Sequence, residues 1–117
     1  MARVRIGILS GSGCISSIYC HNGSGPGSMG RLLEDVYNNS DHVQDLLALG
    51  DISYLGRDLL ETVAYHRDRG EPLRGPLLSK NAYDYVQDLT AEYHYLFTLV
   101  DGWVLVARDG TLLKRVQ

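Results

Sequence analysis

The sequence predicts an α+β fold: one domain, with a mostly antiparallel sheet of about five to six strands and two to three short helices on one face. Three observations lead there. Period-two runs of apolar and polar residues lie at both ends of the chain. Two Asp-Gly pairs, Asp101-Gly102 and Asp109-Gly110, separate strand-like runs near the C-terminus, the strongest short-range hairpin signal. Stretches with apolar residues at three- and four-residue steps are confined to the middle, and strands flanking helices in this way mark an α+β fold. At 117 residues the chain suits one core and leaves no room for a second domain.

Taken in order, Arg3-Val4-Arg5-Ile6-Gly7-Ile8-Leu9 alternates charge with apolar bulk, and Cys14-Ile15-Ser16-Ser17-Ile18-Tyr19-Cys20 is a second strand-like run. Ser10-Gly11-Ser12-Gly13 between them is turn chemistry, so the pair reads as a hairpin. Residues 21–28 are rich in Gly, Ser and Pro and read as a surface loop. Met29, Leu32, Leu33 and Val36 then recur at helical steps, with Ser28 able to cap and Asn38-Asn39 ending the pattern. A second helix has Ser40 or Asp41 as cap, Val43, Leu46, Leu47 and Leu49 as apolar face, and Gly50 ending it with a positive φ. Residues 51–56 read as a turn tucking Ile52 and Leu55 under the helices. Residues 62–65 read as a strand, 67–72 as a charged loop, Gly75-Pro76 as a breaker, and 81–89 as a third helix. Strands over 93–100, 103–108 and 111–116 complete a meander.

Eleven Lys and Arg against fourteen Asp and Glu exclude a basic coat that binds nucleic acid by neutralising phosphates, so direct nucleic-acid binding is not expected. No apolar run approaches the roughly 18 residues of a membrane span, and the first residues lack a signal peptide's apolar core. The expectation is a cytoplasmic protein with no membrane partner, acting in the host cell cytoplasm if phage-encoded. Cys14 and Cys20 would stand about 20 Å apart along one strand, too far for a disulfide. With His21, His42, His66 and His94 scattered, no zinc spacing emerges, and neither metal nor cofactor is expected.

The glycine-rich stretch 23–30 opens onto a helix, where free N–H groups favour an anion. It lacks the Gly-Lys-Ser/Thr of a phosphate loop, and a plain flexible connector is the favoured reading. Arg67-Asp68-Arg69 offers a guanidinium fork for phosphate or carboxylate, or else a solvated charged turn. Nine of the eleven basic residues are Arg. Eight Tyr against one Phe and one Trp suggest a contact surface around Tyr93 and Tyr95, with edge-strand solubility as the plainer explanation. Catalytic chemistry is thinly represented. No Gly-x-Ser-x-Gly elbow is present, and Cys20-His21 would act as a nucleophile pair only with an exposed thiol. No catalytic residue is therefore assigned.

From Ile18-Tyr19-Cys20-His21 onward the chain resembles a widespread family of small phage and prophage proteins, in which a strand ending Tyr-Cys-His leads into a Gly-containing loop and a helix. The likeness continues through Gly30-Arg31-Leu32-Leu33-Glu34-Asp35-Val36-Tyr37, Val43-Gln44-Asp45-Leu46-Leu47-Ala48-Leu49-Gly50-Asp51-Ile52-Ser53-Tyr54-Leu55-Gly56 and Ala64-Tyr65-His66-Arg67-Asp68-Arg69-Gly70-Glu71, and reappears at Tyr93-His94-Tyr95-Leu96-Phe97 with Trp103. It covers about half the chain. Asn22-Gly23-Ser24-Gly25 stands where the family has Trp-Asp-Gly-Tyr. The resemblance implies a mobile-element gene and brings no activity with it.

Together these readings point to a non-enzymatic accessory protein that counters a bacterial defence, as an anti-CRISPR-like inhibitor of a host protein or as a sponge for a nucleotide-type messenger. The ligand form would use His21, Gly23, Gly25, Gly27, Arg67 and Arg69, converging in space. The protein-binding form would use Tyr93 and Tyr95. A small hydrolase or nucleotide-modifying enzyme using His21 with Cys20 or His66 is the alternative, and an oligomeric structural or regulatory phage protein the third. A homo-oligomer is expected, because the meander leaves edge strands to cover, with residues 111–116 as the pairing edge.

Overall fold

Val4 and Ile6 alternate with Arg3 and Arg5, and in the computed structural model, which describes residues 2–113, this alternation gives the central strand two distinct faces. Strand β1 (Ala2–Leu9) pairs antiparallel with β2 (Ile15–Gly23), placing Val4 opposite Cys20 and Ile6 opposite Ile18. The outer edge of β2 is divided. Its later half pairs parallel with β3 (Ile52–Tyr54) at Cys20 and Ile52, and β4 (Val63–Ala64) closes that side against β3. Its earlier half pairs antiparallel with β5 (Leu77–Ser79). On the other side β1 runs parallel to β6 (Tyr93–Thr98), followed by the antiparallel strands β7 (Gly102–Val106) and β8 (Leu112–Leu113).

The α+β class and the mostly antiparallel sheet agree with the sequence reading, with eight strands among the described residues instead of five to six. The additional strands are short and carry no two-residue pattern of their own. Ile52 and Leu55 are buried as expected, yet residues 52–54 form a strand because Cys20 presents a free backbone edge to Ile52. The C-terminal meander turns at Asp101-Gly102 as expected. The part of the expected last strand beyond Leu113 lies outside the described residues.

One face of the sheet is covered by a π-helical turn (Pro26–Gly30), α1 (Arg31–Val36) and α2 (Ser40–Leu47). Met29, Leu33, Val43, Leu46 and Leu47 from these elements meet Val4, Ile6, Ile18, Tyr95 and Trp103 from the sheet. Trp103 Nε1 donates to the Tyr37 carbonyl at 2.7 Å, and the Tyr37 hydroxyl donates to the Gly56 carbonyl at 2.9 Å, tying β7, α1 and the chain after β3 together. Residues 21–28 are not wholly loop. Gly23 lies so close to Val4 that a Cβ there would come within 2.8 Å of it, which lets β2 continue along β1 past Cys20. Ser28 sits inside the π-helical turn instead of capping, its hydroxyl donating to Ser24 Oγ at 2.6 Å. The second helix is capped by Asn39, not Ser40 or Asp41: Asn39 Oδ1 accepts from the His42 amide at 2.9 Å, a contribution of about 1 kcal/mol. Gly50 ends the helical segment with φ +74° as expected.

The opposite face carries a smaller core. The short α4 (Ala82–Tyr85), less than half the length read from the sequence, lays Tyr85 and Val86 against Ile15, Leu96, Val104 and Val106. The Tyr85 hydroxyl donates to the Tyr95 carbonyl at 2.7 Å. No helix among the described residues is long and apolar enough to cross a membrane.

Candidate functional site

Strand alternation places Cys20 in the core beneath the helices and sends its neighbours Tyr19 and His21 to the other side of the sheet. Tyr65 follows the buried Ala64 of β4 and starts α3 (Tyr65–Arg69), a single turn that the sequence reading placed in strand and charged loop. Asp51 lies between the two tyrosines. Its Oδ1 accepts from the Tyr19 amide at 3.0 Å and its carbonyl from the Tyr65 amide at 3.4 Å.

The chain after α3 then returns across this corner and is held at both ends. The Glu71 amide donates to the Tyr65 carbonyl at 3.1 Å, His66 Nδ1 lies 2.8 Å from the Glu71 carbonyl, and the Asp51 amide donates to the Arg74 carbonyl at 2.8 Å. The result is a cleft of about 230 Å³ lined by Tyr19, Asp51, Tyr65, His66, Glu71 and Arg74. Since the carbonyl of Glu71 can only accept, His66 Nδ1 carries the proton, leaving Nε2 an acceptor in the neutral ring.

The residues expected to form a ligand site are divided between this side and the helix side. His21 is exposed, with Nδ1 2.9 Å from the Tyr19 hydroxyl, one step outside the cleft. Gly23 and Gly25 serve close packing: Gly23 against Val4, and Gly25 against the Tyr93 ring, where a Cβ would stand 3.2 Å from the hydroxyl oxygen. Gly27 is exposed in the π-helical turn. The glycine stretch borders a separate cleft of about 300 Å³ with Met29, Leu32, Tyr54 and Leu55, which contains no charged residue and neither arginine. Arg67 is engaged within its own segment: Nε and Nη2 bond the two Asp68 carboxylate oxygens at 2.9 Å each, and Nη2 also donates to the Thr62 carbonyl at 2.6 Å. The Arg67 hydrogen bond and the Ala64 amide hold the Asp68 carboxyl below its ordinary range. Arg69 lies with its guanidinium 5.2 Å from the centre of the Tyr65 ring.

Tyr93 and Tyr95 stack at 6.2 Å, and the Tyr95 hydroxyl donates to the Ser24 carbonyl at 2.9 Å. Tyr95 is fully buried, so this pair anchors the glycine stretch to β6 instead of presenting a shared outer surface.

The sequence reading missed two features. Asp51, Glu71 and Arg74 come to the cleft from irregular chain, where no periodicity marks them. On the same outward face Arg5 is buried, its Nε donating to Ser17 Oγ at 3.1 Å, its Nη2 to the Ser17 carbonyl at 3.3 Å and its Nη1 to Asp88 Oδ2 at 3.1 Å. Burial opposes the Asp88 charge, but hydrogen bonds from Thr90 and Arg5 together hold its carboxyl below the ordinary range. His94 stands beside Arg5 in the parallel register, and its Nε2 is buried with no hydrogen-bond partner. Among the described residues no group of three or more His, Cys, Asp or Glu side chains is placed to hold a metal ion. Neither protein-family models, curated proteins nor solved structures provide a match to this chain.

Proposed function

We propose that the chain is a non-catalytic binding module whose working surface is the cleft between Tyr19 and Tyr65, and that it captures a small nucleotide-type ligand. The observation that carries this reading is how the cleft wall is held: two main-chain hydrogen bonds and one from the His66 imidazole attach the returning segment 71–74 to Tyr65, His66 and Asp51. Binding sites are commonly loops held by a scaffold in this way. In the mobile-element setting that the family resemblance implies, such a module acts as a sponge for a defence messenger. A host protein surface is the second occupant considered.

The Cys20–His21 form of the hydrolase alternative is disfavoured by alternation along β2. Cys20 and His21 leave opposite faces of the sheet, so the imidazole cannot take the thiol's proton. Burial pushes the Cys20 thiol up to about 12, although hydrogen bonds from the Asn22 and Leu55 amides pull the other way. A thiol so placed stays protonated at neutral pH and is a poor nucleophile.

Native mass spectrometry of the protein purified from a phage-defence-active host is the test. A retained small molecule supports the proposal, whereas a retained host subunit transfers it to the inhibitor form. Chemical turnover of a retained molecule by the purified protein overturns it.

A further inference from the structure

Glu71 and Arg74 line the same cleft with opposite charges, yet among the described residues neither side chain makes a hydrogen bond or an ion pair. Their main chains are fixed and their charged ends are open to a third party. A ligand that satisfies both carries hydrogen-bond donors at one end and an anion at the other. The remaining lining narrows the class. Tyr19 and Tyr65 supply aromatic rings suited to a planar partner, and His66 Nε2 and the Asp51 carboxylate add further acceptors.

We propose that this cleft binds a guanine mononucleotide, with the base between the tyrosines, its donor edge on the Glu71 carboxylate and its phosphate on Arg74; this rests on the binding-module reading above. Guanine presents two adjacent N–H donors on its pairing edge, which match the two oxygens of a carboxylate. Adenine offers an acceptor where guanine has its ring N–H, and that acceptor would face the same oxygens. The phosphate suits a planar guanidinium. At about 230 Å³ the cleft falls below the roughly 300 Å³ at which drug-sized pockets begin, so it admits one ring system and leaves the phosphate at the open rim.

Isothermal titration of the full chain with GMP, AMP, guanosine and inorganic phosphate tests this. GMP binds, and AMP and guanosine each bind at least roughly tenfold more weakly, the loss expected when a bidentate base contact or a charged contact is removed. Glu71→Gln lowers GMP affinity roughly tenfold and narrows the preference over AMP. Arg74→Gln brings GMP down to guanosine. Both positions are exposed, and an unchanged melting temperature confirms that each variant is folded.

Equal binding of GMP and AMP overturns the guanine assignment, and phosphate binding as tight as GMP overturns the base contact. No binding at millimolar GMP overturns the inference outright. If native mass spectrometry then shows a different retained small molecule, the binding-module reading stands without it. Conversion of GMP to product overturns that reading instead.

Discussion

His66 Nδ1 lies 2.8 Å from the carbonyl oxygen of Glu71, while the Glu71 amide donates at 3.1 Å to the carbonyl of Tyr65. The single turn of α3 is thereby joined to the segment that follows it, and the wall of the tyrosine cleft inherits its position from the sheet edge. The polar cluster on Arg5 serves the same outward face from below, joining β1 and β2 to the segment after α4.

Removing the imidazole should loosen that wall without unfolding the protein. His66→Ala is expected to raise the hydrogen-exchange rate of the Glu71 amide at least roughly tenfold, while global stability in urea changes by less than about 1 kcal/mol, as for other exposed hydrogen bonds. Unchanged exchange at Glu71 would mean that the Tyr65 carbonyl alone holds the segment.

Gly50 is where helix and cleft depend on each other. At φ +74° it already favours glycine, and a Cβ would stand 2.6 Å from the Arg74 carbonyl oxygen and 2.7 Å from Leu73 Cδ1. Gly50→Ala is therefore expected to cost about 2–3 kcal/mol. Gly70→Ala, at φ +69° with no atom within 4 Å of its Cβ, should cost about 1 kcal/mol from backbone strain alone. Urea denaturation of the two variants checks the difference, and equal losses would show that the approach to Arg74 is irrelevant.

Acid should act on the smaller core through His94. Burial pushes the imidazole below its ordinary value of 6.5; the Asp88 carboxylate opposes this, and Arg5 and Arg108 reinforce it. The unfolded chain takes up the proton near pH 6.5 and the folded one resists it, so stability present above that pH is lost as pH falls through the folded value. Thermal melts from pH 7 down to about pH 5, the range in which histidine changes charge, should fall more steeply for the wild type than for His94→Leu. Parallel slopes would remove His94 as the cause.

The glycine stretch and Arg67 show how a motif can be legible while its use is not. A Gly-rich run before a helix and an Arg-Asp-Arg triplet are compatible with anion binding, but each has a local use that sequence does not reveal. Gly23 and Gly25 make room for Val4 and Tyr93, which are distant in the chain, and Arg67 closes on its own neighbour Asp68. Tyr19, Asp51, Tyr65, His66 and Glu71 lay within runs the sequence had singled out by resemblance, and Arg74 did not. Only the Asp51 and Tyr65 main-chain bonds bring Glu71 and Arg74 together with them in one cleft.

Sequence by itself determined the N-terminal hairpin, the two Asp-Gly turns of the meander, the two helices that follow the glycine stretch and the burial of Ile52 and Leu55. Each follows from a local preference: turn residues that accept unusual backbone angles, or an apolar period that matches strand or helix. Tertiary structure alone decided that β6 returns parallel to β1, that β3 and β5 share the outer edge of β2, and that Arg5 is buried. These outcomes depend on which unpaired backbone edge a distant segment meets and on whether a charge finds a partner such as Asp88, 83 positions away. No pattern of neighbouring residues records that.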